Sequence, residues 1–228
     1  MASYHLALEE FKKKNYNPSL EIIKKDLVVE NDFKKNSPNY NLRFLAAHLH
    51  WELNNPNDAI YHFKKCLEIK KNSIDPYLDL AIYQIELGQY NSAWKTIQQA
   101  TKTKNLENLK ESYFLYYLKG KLFLKWQMYK KAKINFEKSN SLSQDSALPY
   151  NGLGIALLHL KQYPEANTAF AIANELWPNS FEILNNLALS FEVLGKNQQA
   201  QKNFTTALSF EPENKIITEN LKRVSPKN

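Results

Sequence analysis

Five histidines and one cysteine are the side chains of this 228-residue chain best suited to metal or nucleophilic chemistry. His48 and His50 stand two apart, so on a helix they face different sides and cannot share an ion as an i, i+4 pair does. His62 and His159 have no carboxylate or cysteine pattern around them, and both are expected to be ordinary surface or groove residues. A single cysteine, Cys66, excludes an intramolecular disulfide and any zinc module built on two or four cysteines. No phosphate-binding loop, nucleophile elbow or paired-carboxylate motif occurs in the sequence; Gly152-Leu-Gly154 is the nearest echo of a nucleotide loop. The chain therefore reads as a non-enzyme, with no catalytic residue, metal ligand or cofactor site. One stretch, Lys119 to Lys133, interleaves lysines with Phe123, Trp126 and Tyr129, the pattern that suits nucleic acid.

Composition narrows what elements can position these residues. Five Gly and nine Pro are too few for a sandwich or barrel with a tight turn every 8–12 residues, so helices are expected. The net charge is +7, almost all of it lysine, since only Arg43 and Arg223 are arginine. That excess lies in residues 73–140 and suggests an acidic partner only weakly. The longest apolar stretch, Gly152 to Leu160, is far shorter than the roughly 20 residues that cross a bilayer. The N-terminus, Met1-Ala-Ser-Tyr-His, lacks a basic-then-apolar signal pattern. A cytoplasmic location is expected for the chain as it stands, and a periplasmic or membrane-attached one if a signal or anchor precedes it natively.

Self-similarity decides the architecture. Ala132, Ala166 and Ala200 are 34 residues apart, as are Phe136, Phe170 and Phe204, and Pro178 and Pro212. Ser139, Ala173 and Ala207 share the period. Twelve residues before each alanine stand Gly120, Gly154 and Ala188, and four before those stand Tyr116, Tyr150 and Leu184. The frame runs backwards through Tyr77, Ala81, Gly88, Ala93 and Ala100, and again through Ala46, Ala47, Ala59, Phe63 and Cys66. Cys66 falls where other units have Ala or Ser, so a small buried packing residue is expected rather than a reactive thiol. Ala93 to Ala132 is 39 residues, which places an insertion in Thr101 to Ser112, read as a lengthened helix end plus a connection. In the first 36 residues Tyr16, Ser19 and Ile23 hold the weakest copy.

This pattern resembles the tetratricopeptide repeat, whose 34-residue unit reads W-x₂-L-G-x₂-Y and then Ala, Phe and Pro. Tyr150-Asn-Gly-Leu153-Gly154-Ile-Ala-Leu157, with Ala166, Phe170, Ala173 and Pro178, matches nearly every signature position. Leu184-Asn-Asn-Leu187-Ala188, with Ala200, Phe204, Ala207 and Pro212, is an equally good copy. The resemblance implies an all-α, right-handed superhelical solenoid of antiparallel helix pairs. Its parts are a degenerate first repeat or cap (1–39), repeats at 40–73, 74–112 (with the insertion), 113–146, 147–180 and 181–214, and a capping helix and tail (215–228). The corresponding helices fall at 3–14 and 18–34, 40–53 and 57–71, 75–87 and 91–106, 110–126 and 130–143, 147–160 and 164–176, 181–193 and 198–210, and 214–223.

By analogy with the family, the first helix of each pair lines a concave groove. The groove residues implied here are Phe44, His48, Trp51, Leu78, Ile82, Ile85, Phe114, Tyr117, Lys121, Lys125, Asn151 and Asn185. The resemblance thus implies a scaffold or adaptor that binds a partner peptide or helix in the groove; apolar and aromatic side chains aimed into solvent favour such a ligand. A strongly curved array that buries Phe44, Trp51 and Ile82 against itself is the competing reading of the N-terminal patch. The family's carboxylate clamp needs Lys and Asn four residues apart at Phe44/His48, Leu78/Ile82, Tyr117/Lys121, Asn151/Ile155 or Asn185/Leu189, and no pair provides them. Asn151, Asn185 and Asn186 are candidates for bonding an extended peptide backbone. Two further roles stay open: a structural subunit of an envelope or motility assembly, with homo-oligomers among its contacts, and nucleic-acid binding through residues 119–138. The repeat frame weighs against the last, because Tyr116, Phe123 and Tyr129 fall at core-type positions while Lys130, Lys131 and Lys133 fall on an outer face.

Overall fold

The computed structural model describes residues 2–27, 39–103 and 109–225. Those residues form thirteen α-helices and no strands, so the chain is an all-α repeat solenoid. They divide into two compact units, Met1–Glu107 and Asn108–Asn228. The first holds α1 (Ala2–Lys12), α2 (Tyr16–Leu27), α3 (Asn39–Glu52), α4 (Pro56–Ile69), α5 (Asp75–Glu86) and α6 (Tyr90–Ala100). The second holds α7 (Leu109–Lys125), α8 (Tyr129–Leu142), α9 (Ala147–His159), α10 (Tyr163–Leu176), α11 (Phe181–Val193), α12 (Asn197–Phe210) and α13 (Lys215–Val224). Within each unit consecutive helices pack as hairpins, and successive first helices also touch, as α1 with α3 and α9 with both α7 and α11.

Every hairpin closes with the same turn. Lys14, Asn54, Gly88, Gln127, Lys161 and Gly195 all take positive φ, between 58° and 72°. In each case the next amide donates to the carbonyl five residues back, for example Asn55 to His50, Gln89 to Gln84 and Gln162 to Leu157, which satisfies carbonyls orphaned at the helix end. Only two of the six positions carry glycine, so most of these turns hold an ordinary side chain in a left-handed conformation that costs about 1 kcal/mol. The α1–α2 hairpin, at the weakest sequence copy, uses this turn too. Its Ser19 and Ile23 are fully buried, with the Ser19 hydroxyl donating to Ala7 O at 2.6 Å.

The core is a ladder of small and aromatic residues. Ala59, Ala93, Ala132, Ala166 and Ala200 have no exposed surface, and neither do Cys66, Ala100, Ser139, Ala173 and Ala207. Phe63, Phe136, Phe170 and Phe204 are the largest fully buried side chains. Their rings occupy the space vacated opposite by glycine: a Cβ added at Gly154 would lie 2.5 Å from the Phe170 ring, and one at Gly120 2.6 Å from Phe136. The Gly152-Leu-Gly154 echo is thus helix packing inside α9. Pro56, Pro76 and Pro164 sit in first turns, where a missing N–H breaks no bond.

Two helix expectations need correcting. The second helix of the third pair, expected to reach residue 106, ends at Ala100, and the long helix beside the insertion is α7, with 17 residues. The hydroxyls of Thr101 and Thr103 bond the carbonyls of Gln98 (2.7 Å) and Ala100 (2.9 Å), and this competes with continuation of the helix. The expected extension of α2 from 28 to 34 lies outside the described residues. No described helix is long and apolar enough to cross a membrane.

Candidate functional site

In the second unit, side chains of α7 and α9 face each other over α8 and leave a cleft of about 360 Å³. Tyr117, Lys121, Leu124 and Lys125 come from α7, where their spacing puts them on one face. Leu148, Asn151, Gly152, Ile155 and His159 come from α9, again from one face, and Tyr129 and Phe136 of α8 complete the lining. The His159 ring stacks on Tyr129 with centroids 4.1 Å apart and planes 5° from parallel. Four of the twelve expected groove residues therefore meet in one cavity: Tyr117, Lys121, Lys125 and Asn151.

The cavity has an identifiable cause. Elsewhere, a first-helix residue meets the residue 35 positions later on the next first helix. Asn186 Nδ2 donates to Asn151 Oδ1 at 3.0 Å, and Asn220 Nδ2 donates to Asn185 Oδ1 at 3.0 Å. In the first unit the Tyr83 hydroxyl lies 2.9 Å from His48 Nδ1. The residue 35 after Tyr117 is Gly152, which has no side chain to offer. None can be added, because a Cβ there would sit 2.4 Å from the Phe136 ring. The cleft opens where a close helix approach enforces glycine. Gly152, Tyr129 and Phe136 read as packing residues in sequence; the 35-residue spacing is the signal that points to them.

The other groove expectations are placed as follows. Phe44, His48 and Trp51 on α3, and Ile82 on α5, are half-buried and engage one another's neighbourhood. Trp51 stacks on Tyr83 at 3.8 Å with planes 2° apart, and Phe44 packs edge-on to both His48 (4.9 Å) and Phe63 (5.8 Å). Asp79 Oδ2 lies 3.3 Å from His48 Nε2, so both imidazole nitrogens have internal neighbours. Leu78 and Ile85 are 8% and 1% exposed. Seven residues apart on the inward face of α5, they pack the core rather than line a groove. Phe114, half-buried near the start of α7, packs at 5.5 Å on Tyr117 outside the cleft, and Asn185 is held by Asn220.

The histidines need a second correction. His62 is 9% exposed, neither a surface nor a groove residue, and stacks on His50 at 5.3 Å with planes 12° apart. Burial, the neighbouring His50 and the Arg43 guanidinium push the His62 pKa down to about 4, against a smaller opposing pull from Asp58. Burial also lowers that of His50. The two residues are twelve apart, the same cross-hairpin spacing as Gln84 and Thr96, whose hydroxyl donates to Gln84 Oε1 at 2.8 Å. Among the described residues no group of three or more His, Cys, Asp or Glu is placed to hold a metal ion. Burial pushes the Cys66 thiol up to about 12, which leaves it a packing atom at neutral pH.

In the basic stretch, Lys130 and Lys131 are exposed, while Lys133 donates to Gln162 Oε1 at 3.1 Å. Lys119 is half-buried with its ammonium 5.0 Å over the Tyr116 ring, and burial lowers its pKa. Leu118, fully buried beside it, faces the core.

Tetratricopeptide repeat family models match residues 50–109 and 115–146. No curated protein matches the sequence. Among solved structures, a chain of the APC/C hetero-tetramer Cut9-Hcn1 is 16% identical with a TM-score of 0.83; the match covers 98% of this chain and 42% of that one, so this chain spans less than half its length. The type IV pilus biogenesis factor PilW is 16% identical with a TM-score of 0.79, over 98% of this chain and 96% of its own. YrrB, described as a tetratricopeptide protein with an unusual peptide-binding site, is 19% identical with a TM-score of 0.58, over 87% of this chain and 97% of its own. With the 34-residue ladder of Ala, Phe and Gly, the repeated hairpin turn and the two family matches, the chain is a tetratricopeptide-repeat protein.

Proposed function

We propose that this protein is a non-catalytic interaction scaffold that holds a segment of a partner protein in the cleft between α7 and α9. The observation that carries this reading is the cleft itself, a concavity lined by first-helix residues of two successive hairpins, with apolar walls and a few polar groups. The half-buried aromatic patch of Phe44, Trp51 and Ile82 is internal packing in this account, because its rings are stacked on Tyr83 and Phe63. A photo-reactive side chain placed at Leu148, on the rim, should give a discrete partner adduct in the native host, and Ile155→Arg should abolish it. Equal adducts from Lys202, on α12 and outside the cleft, would overturn the reading.

A second reading has its own support. PilW matches nearly end to end in both directions. On that basis the chain serves as a structural subunit of a pilus-type envelope assembly, and the segment held in the cleft belongs to another subunit. Co-purification of the tethered protein with envelope complexes tests it; recovery solely as a free monomer counts against it.

A further inference from the structure

We infer that the segment held in the α7–α9 cleft is acidic, with a carboxylate seated between Lys125 and Asn151 and an adjacent apolar side chain against the cleft wall. This rests on the docking role proposed above and specifies the chemistry of the occupant. Three observations on the cleft support it. None of its lining residues is acidic, and its two permanently charged groups, Lys121 and Lys125, are cations one helical turn apart on α7. The Asn151 carbonyl accepts from Asn186 Nδ2 at 3.0 Å, so the amide is turned with its NH₂ as the group left to a ligand. The same orientation recurs at Asn185, whose carbonyl accepts from Asn220.

An ammonium and an oriented amide NH₂ offer only donors, and the matching ligand group is an acceptor that carries negative charge. Leu124, Leu148 and Ile155 supply apolar surface beside them. That surface suits the aliphatic side chain of a peptide and gives a sugar-phosphate backbone nothing to pair with. The site differs from the family's carboxylate clamp, since its lysine and asparagine come from facing helices of successive hairpins rather than from one helix.

The test uses the full chain, ¹⁵N-labelled, and two capped peptides of alternating residues, glutamate–leucine and its uncharged glutamine–leucine counterpart. The glutamate peptide should shift the Asn151 side-chain NH₂ signals and the backbone signals of α7 and α9. It should bind at least about tenfold tighter than the glutamine peptide, with the difference shrinking as salt is raised. Lys125→Gln, at an exposed site, and Asn151→Asp, which keeps the acceptor for Asn186, should each erase the preference. Equal binding of both peptides in the cleft overturns the carboxylate assignment and leaves the docking role standing. Shifts confined to other surfaces, or larger cleft shifts with single-stranded oligothymidylate, overturn it as well; the docking role is then judged by the Leu148 cross-link alone.

Discussion

The buried His50–His62 pair makes the first unit sensitive to mild acid. In the folded chain the His62 pKa is about 4, whereas an unfolded histidine titrates near 6.5. The unfolded state therefore binds the proton first, and stability falls as pH falls from about 6.5 to about 4; above that window the contribution is fully present. A shift of roughly 2.5 units corresponds to about 3 kcal/mol in full, of which about 2 kcal/mol is lost between pH 7 and pH 4.5. The groups facing the pair agree with the sign: Arg43 on α3 opposes protonation of His62, Lys24 on α2 opposes that of His50, and the Asp58 carboxylate on α4 only partly offsets burial. His62→Phe keeps a ring on His50 and removes the titration. Urea unfolding followed through the NMR signals of α3 and α4 amides, at pH 7 and 4.5, should show the native chain losing about 2 kcal/mol more than the variant. Equal losses in the two proteins would refute the reasoning.

Other consequences are local. Gly152→Ala gains about 1 kcal/mol of helix propensity but drives a methyl to 2.4 Å from Phe136; overpacking of about 1–3 kcal/mol should win, and a raised melting temperature would contradict the packing. At the hairpin turns, Lys161→Gly should raise stability by about 0.5–1 kcal/mol and Gly195→Ala should lower it by a similar amount, both read from urea midpoints. Cys66 should resist a thiolate-specific reagent in the native state and react on denaturation; rapid native labelling would be inconsistent with its burial and raised pKa.

The helical ladder was readable because its residue types follow from a distance: helices that approach as closely as α9 and α10 admit only Gly or Ala at the contact and leave a ring-sized space beside it. Ala166, Phe170 and Gly154 therefore repeat in sequence. The turns were half readable. Gly88 and Gly195 announce a left-handed residue, whereas Asn54, Gln127 and Lys161 occupy the same conformation without a distinctive type. Side-chain pairs between helices were harder, since they appear at spacings of 12 and 35 rather than at the repeat length. His50 with His62, and Asn151 with Asn186, belong to that class. The cleft was least legible of all. It depends on a side chain that is missing at Gly152, and its floor, Tyr129 and Phe136, looks like any other core position.

The most direct test sets the cleft against the N-terminal aromatic patch. Calorimetric titration of the cross-linked partner, once purified, into the native protein, Ile155→Arg and Trp51→Ala compares the two surfaces in one measurement. The account predicts that Ile155→Arg abolishes binding while Trp51→Ala, whose ring is stacked on Tyr83, changes the affinity less than about threefold. Full affinity in Ile155→Arg, with loss in Trp51→Ala, would contradict it.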